Sequence, residues 1–121
     1  MKYRAWLTNK FMMVNVDSVR FDTNVISYHI GIAAPKRSKC YKLMKSTGEY
    51  DGNGDEIYEG DILTDEGSFN HESWDYGIVE CDDEEEFYIN WKLEDYYEPL
   101  VNSDNYVIAG NVYKDSYLLE E

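Results

Sequence analysis

The 121-residue chain carries a formal net charge of −14, is 43% hydrophobic and 16% aromatic, and holds 12 tyrosines. Disordered chains are poor in aromatic and β-branched residues, so this composition excludes a wholly disordered protein, and no apolar run approaches the ~18 residues a membrane-spanning helix needs. A chain of this mass buries about two-thirds of its unfolded surface, enough for one core without metal or disulfide staples.

Lys2 and Arg4 open the chain, but no apolar stretch follows them. The segment therefore does not read as a secretory signal, and a cytoplasmic location is expected. Lys2 to Leu7 alternates, with Tyr3, Ala5 and Leu7 against Arg4 and Trp6, which predicts a strand. Thr8-Asn9-Lys10 reads as a turn, and Phe11 to Val16 as the returning strand. Asp17-Ser18 is expected to break it before Val19 to Phe21 resumes. After a turn at Asp22-Thr23-Asn24, Val25 to Ile32 places Ile26, Tyr28, Ile30 and Ile32 on one face. Ala34 to Ser38 is read as a basic loop broken by Pro35, and Cys40 to Met44 as a short strand.

The glycine- and Asx-rich stretch from Thr47-Gly48 to Asp51-Gly52-Asn53-Gly54-Asp55 favours tight turns and marks an organisational boundary near residues 46–50. Ile57 to Leu63 reads as one strand entering a core, with Gly60 as a bulge or close approach. Residues 64–75 form a polar loop with Gly67, Asn70, His71 and Trp74. Gly77 to Cys81 and Phe87 to Lys92 predict a hairpin around Asp82-Asp83-Glu84-Glu85-Glu86, with Phe87, Ile89 and Trp91 sharing a face. Residues 93–104, with Pro99, read as irregular, and Tyr106 to Tyr113 as the last strand. Asp115 is placed to cap a short turn over Ser116 to Glu120.

Charge is unevenly placed along the chain. Residues 1–46 hold nine Lys or Arg and two Asp, a net of +7; residues 47–121 hold two Lys and 23 Asp or Glu, a net of −21. Such a chain satisfies itself by pairing its ends internally or head-to-tail with another copy, and its acidic remainder repels nucleic acid and attracts basic surfaces.

The opening Lys2-Tyr3-Arg4-Ala5-Trp6 resembles the start of the YopX family of phage and prophage proteins. Ser46-Thr47-Gly48, Asp51, Asn53-Gly54 and Glu56-Ile57-Tyr58-Glu59-Gly60-Asp61-Ile62 are similar to that family's central signature. Gly77-Ile78-Val79, Ile108-Ala109-Gly110-Asn111-Val112-Tyr113 and Leu118-Leu119 resemble its later strands and tail. The resemblance covers nearly the whole chain in order, and departs mainly at the 64–75 loop and the acidic 82–86 tip. It implies a phage-encoded accessory protein and a mainly β fold: a small SH3-like barrel with an N-terminal β extension and at most short helices. The whole chain is then one domain, with a basic N-terminal segment over 1–46 and an acidic barrel core over 47–121. No catalytic residue comes with the resemblance. Trp6, Gly48, Asn53, Gly54, Tyr58, Gly60, Asp61, Gly110 and Asn111 are expected to serve structure.

The residues themselves offer weak site signals. Asp51-Gly52-Asn53-Gly54-Asp55 begins like a calcium loop, but the positions that demand glycine and glutamate hold Glu56 and Ile62, so a hairpin turn is the expected reading. His29, His71, Cys40 and Cys81 are the right atoms for zinc at the wrong spacing; ordinary histidines and buried free thiols are expected. Asp61 stands inside a strand pattern, where a bond to a backbone amide is expected. Arg4, Lys36, Arg37, Lys39, Lys42 and Lys45 form a basic stretch whose expected role in so acidic a chain is pairing within the protein or between subunits. No catalytic, cofactor or metal site is assigned.

Four functional readings follow. The leading one is a non-enzymatic module that binds a host or phage protein with a basic surface. A sharper form is a DNA-mimic decoy built on Asp82 to Glu86 with Glu94, Asp95 and Glu98. A self-assembling structural protein is the third, testable by deleting residues 1–8. A hydrolase using Asp61 or a metal at the 51–55 turn is the least favoured.

Overall fold

The structure, a computed structural model, describes residues 2–65, 76–92 and 95–119. Gly67, Asn70, His71, Trp74 and Glu94 lie outside the described residues. The described chain is mainly β. Its strands are β1 (Tyr3–Leu7), β2 (Met12–Arg20), β3 (Val25–Tyr28), β4 (Lys36–Ser38), β5 (Tyr41–Tyr50), β6 (Glu56–Tyr58), β7 (Asp61–Asp65), β8 (Gly77–Cys81), β9 (Phe87–Trp91), β10 (Tyr96–Pro99) and β11 (Tyr106–Asn111). Two 3-10 turns, Ser103–Asn105 and Ser116–Leu119, supply the helical residues. No helix among the described residues is long and apolar enough to cross a membrane.

The chain divides into two compact units, Met1–Lys45 and Ser46–Glu121. In the N-terminal unit the antiparallel order is β4-β3-β2-β1-β5, so β1 is interior and pairs on both sides. Its alternation turns Ala5 and Leu7 inward with Val14, Ile26 and Tyr28 to form a core. Trp6, on the opposite parity, lies across from Met13 and Lys42. In the C-terminal unit the order is β10-β9-β8-β7-β11, and β6 pairs with the second half of β5. Ile57, Leu63, Val79, Ile89, Trp91 and Leu100 form a second core, with Phe87, Tyr106 and Ile108 packed at its margin. Among the described residues the buried apolar side chains thus fall into two clusters.

Several expected boundaries move, each for a local reason. Asp17-Ser18 does not end β2: Asp17 is the extra residue of a bulge, because Val16 faces Tyr28 while Ser18 faces Ser27. β3 stops at Tyr28, since Ala33 N–H donates to Ile30 O and closes a bend, and Ile30 and Ile32 are exposed rather than on the core face. The basic loop contains a short edge strand, β4, paired with β3. The expected single strand over 57–63 is two strands, β6 and β7, parted at Glu59-Gly60. Gly60 has φ +89°, a left-handed backbone that side chains disfavour. Residues 96–99 form β10, which tolerates Pro99 because β10 is an edge. The SH3-like barrel is not formed as a closed barrel: both sheets are open, with β4, β10 and β11 among the edges.

Candidate functional site

The central signature builds one connected turn system. Gly48 sits in the bulge where Ser46 faces Tyr58 and Tyr50 faces Glu56. Ser46 Oγ donates to the Glu56 carboxylate, and Thr47 Oγ1 donates to Ile57 O at 2.7 Å. Asp51 is buried, and its carboxylate is occupied by amides. Oδ1 accepts from Asn53 N–H (2.9 Å) and Asp55 N–H (2.8 Å), while Oδ2 accepts from Ile108 N–H of β11 (3.0 Å). Gly54 N–H closes the same turn onto Asp51 O. In the stretch that mimics a calcium loop, Asp51 thus accepts backbone amides, two of them donated by Asn53 and Asp55. Among the described residues no group of three or more His, Cys, Asp or Glu is placed to hold a metal.

Asp61 closes the next turn. Its Oδ2 accepts Tyr58 N–H at 2.7 Å, and its Oδ1 accepts from Asn111 Nδ2 at 3.4 Å across the β7–β11 register. Gly60 N–H donates to Val79 O and Gly60 O accepts Val112 N–H, so this backbone lies between β8 and the end of β11. Asn111 passes the chain on, its Oδ1 accepting Tyr113 N–H at 2.9 Å. At Gly110 a Cβ would come within 2.8 Å of Asp115 Cβ and 2.9 Å of Leu118 Cδ1. Asp115 does not use its side chain as the expected helix cap: Oδ2 accepts Asn111 N–H behind it, and its backbone oxygen accepts Leu118 N–H.

His29, Cys40 and Cys81, the described histidine and cysteines, do not come together with other ligands in a group that could hold a metal. His29 Nδ1 lies 2.6 Å from Asp17 Oδ2, with both side chains half exposed. Cys40 is exposed and Cys81 half-buried, so neither thiol is buried as expected; each ends up beside a turn rather than in a core.

The outer face of the β8–β9–β10 hairpins carries the most distinctive polar arrangement. Asp82 Oδ1 accepts Glu84 N–H and Glu86 N–H, both at 2.9 Å, so the tip is a formed turn. Asp83, Glu84, Glu85 and Glu86 are exposed on it. Below the tip, Glu80 faces Tyr88 across the strands; Tyr88 OH donates to Glu80 Oε1 and Asn90 Nδ2 donates to Glu80 Oε2 at 2.8 Å. Tyr97 stacks edge-on against Tyr88 at 5.5 Å. The Tyr88 hydroxyl is held above the ordinary tyrosine pKa of 10.0, first by its partial burial and next by the negative charge of Glu80. On the opposite, core-facing parity, Glu98 accepts from Trp91 Nε1 (2.6 Å), Tyr106 OH (2.9 Å) and Tyr96 OH (3.1 Å).

Sequence reasoning located the acidic tip but missed Glu80, Tyr88, Asn90 and Tyr97 as one face. The alternation of β8 and β9 was signal enough for the first three; Tyr97 required β10. Glu98, expected among the acids of the decoy face, is instead turned toward the core, where its donors come from three strands.

A crystal structure of protein EF1440 from Enterococcus faecalis is similar at 26% identity and a TM-score of 0.73, covering 98% of this chain and 97% of that one. The X-ray structure of protein yopX from Bacillus subtilis shares the fold at 18% identity and a TM-score of 0.66, covering 100% of this chain and 97% of that one. No curated protein matches the chain. The family model described as YopX protein matches residues 2–120, from the Lys2–Trp6 opening through the Gly60-Asp61 turn to the tail, and the chain belongs to the YopX family.

Proposed function

We propose that this protein is a non-enzymatic binding module whose acidic C-terminal unit recognises a basic surface on another protein. The observation that carries the reading is the hairpin tip, where the Asp82 carboxylate organises the turn and four further acids face solvent. A preformed cluster of like charge steers a partner of opposite sign and raises its association rate. Tyr88 and Tyr97 add the rigid amphipathic rings that concentrate binding energy in protein interfaces. The non-enzymatic part is supported by Asp51 and Asp61, whose carboxylates accept backbone amides in the manner of structural residues.

The test is affinity capture from host lysate at low and high salt. The wild-type chain is compared with a variant carrying Asp83→Asn, Glu84→Gln, Glu85→Gln and Glu86→Gln. A partner retained at low salt, released at high salt and lost from the variant supports the module. Identical recovery by both proteins removes it. The exposed row of acids also favours the decoy form of the same reading: its mark is a captured DNA-binding protein that duplex DNA displaces.

A further inference from the structure

A second polar surface lies in the N-terminal unit, on the sheet face turned away from that unit's core. Ser18, Ser27 and Arg37 lie in register across β2, β3 and β4, and Arg20 pairs with Val25 in the next row. Val19 and Ile26, on the other parity, pack in the core, so the Ser18 and Arg20 row is directed outward. Lys39 directly follows β4. Together with Thr23 and Ser38 these residues line an open cleft of about 630 Å³. Its walls hold three cations and four hydroxyls, and Val25 is its one apolar residue.

The charge of this cleft runs against the chain's net −14. Of the two acids in residues 1–46, Asp17 is hydrogen-bonded to His29, and Asp22 lies in the β2–β3 turn. Among the described residues, Arg20, Arg37 and Lys39 make no ion pair with a carboxylate. Ser38 Oγ accepts Cys40 N–H at 3.0 Å, which holds the bend beside Lys39 in place. The Ser18, Thr23 and Ser27 hydroxyls have no hydrogen-bond partner among the described residues.

We propose that this cleft binds a compact phosphorylated ligand of two or more negative charges. Guanidinium forks match phosphate oxygens bidentately, a lysine adds a point charge, and hydroxyls donate to the remaining oxygens. The lining offers no aromatic ring on which a base would stack, which separates the site from a single-stranded nucleic-acid groove. This reading is independent of the acidic tip, which lies in the other unit.

The test is a titration of the full chain with inorganic pyrophosphate, followed by amide chemical shifts and calorimetry, with acetate as the control anion. Saturable binding with shifts confined to residues 18–27 and 37–39, and absent with acetate, is expected. The Arg20→Gln, Arg37→Gln double variant should weaken binding by at least about tenfold, since each lost charge-assisted hydrogen bond has roughly that effect. Both arginines are exposed, so its melting curve should match the wild type. Absence of saturable binding, undiminished binding by the folded variant, or shifts elsewhere overturns the proposal. So does an oligonucleotide that outcompetes pyrophosphate. A wild-type oligomer that the variant converts to monomer, without pyrophosphate binding, would make the cleft a subunit contact and equally overturn it.

Discussion

Asp61 is 1% exposed and still carries a carboxyl group, which is costly unless its oxygens find donors. It finds them three residues back, at Tyr58 N–H, and across the sheet at Asn111 Nδ2. Asp61→Asn sets an amide donor against one of those donors, so folding stability should fall by about 1–3 kcal/mol in urea unfolding. An unchanged unfolding midpoint accompanied by loss of any activity would make Asp61 chemical rather than architectural. Tyr88 gives a pH test. Its pKa is raised in the folded protein, so the folded state holds this proton more tightly than the unfolded chain does. The associated stability is present below pH 10.0 and is lost as pH rises through the folded value. The near-ultraviolet difference between wild type and Tyr88→Phe should show one tyrosine ionising above 10.0. A midpoint at or below that value contradicts the Glu80 contact.

Strand β1 shows how an element's place in a sheet changes what a deletion reports. It is paired to β2 over Arg4 to Leu7 and to β5 over Tyr3 to Leu7. Deleting residues 1–8 removes both ladders together with Ala5 and Leu7 of the N-terminal core. The deletion should therefore abolish amide-exchange protection across β2 and β3, whatever the oligomeric state. Retained protection there would show that β1 is dispensable. Sedimentation of the truncated chain alone would confuse lost folding with lost assembly. Strands read correctly from alternation are those with one clean apolar parity, such as β1 and the β8–β9 hairpin. Alternation misled at Ile30 and Ile32, because β3 ends at Tyr28 and the bend that Ala33 N–H closes onto Ile30 O leaves both side chains exposed. It was silent at β4 and β10, which are short, polar edge strands that bury little of their own.

At the scale of the molecule, the charge division seen in the sequence coincides with the structural division after Lys45. Each unit buries its own apolar cluster, and each bears a surface of opposite sign, the acidic tip in one and the basic cleft in the other. The family came from a resemblance of motifs along the chain, while alternation, turn residues and adjacent charge by themselves determined the β class and the acidic tip. These are local properties: period-two burial, glycine and Asx backbone preferences, and adjacent charge. Strand order decided the rest. Only pairing across β2, β3 and β4 brings Ser18, Ser27 and Arg37 into one row, and only folding brings Trp91, Tyr96 and Tyr106 onto Glu98. A cross-strand neighbour is set by register between distant segments, and register is chosen by the cores those segments share.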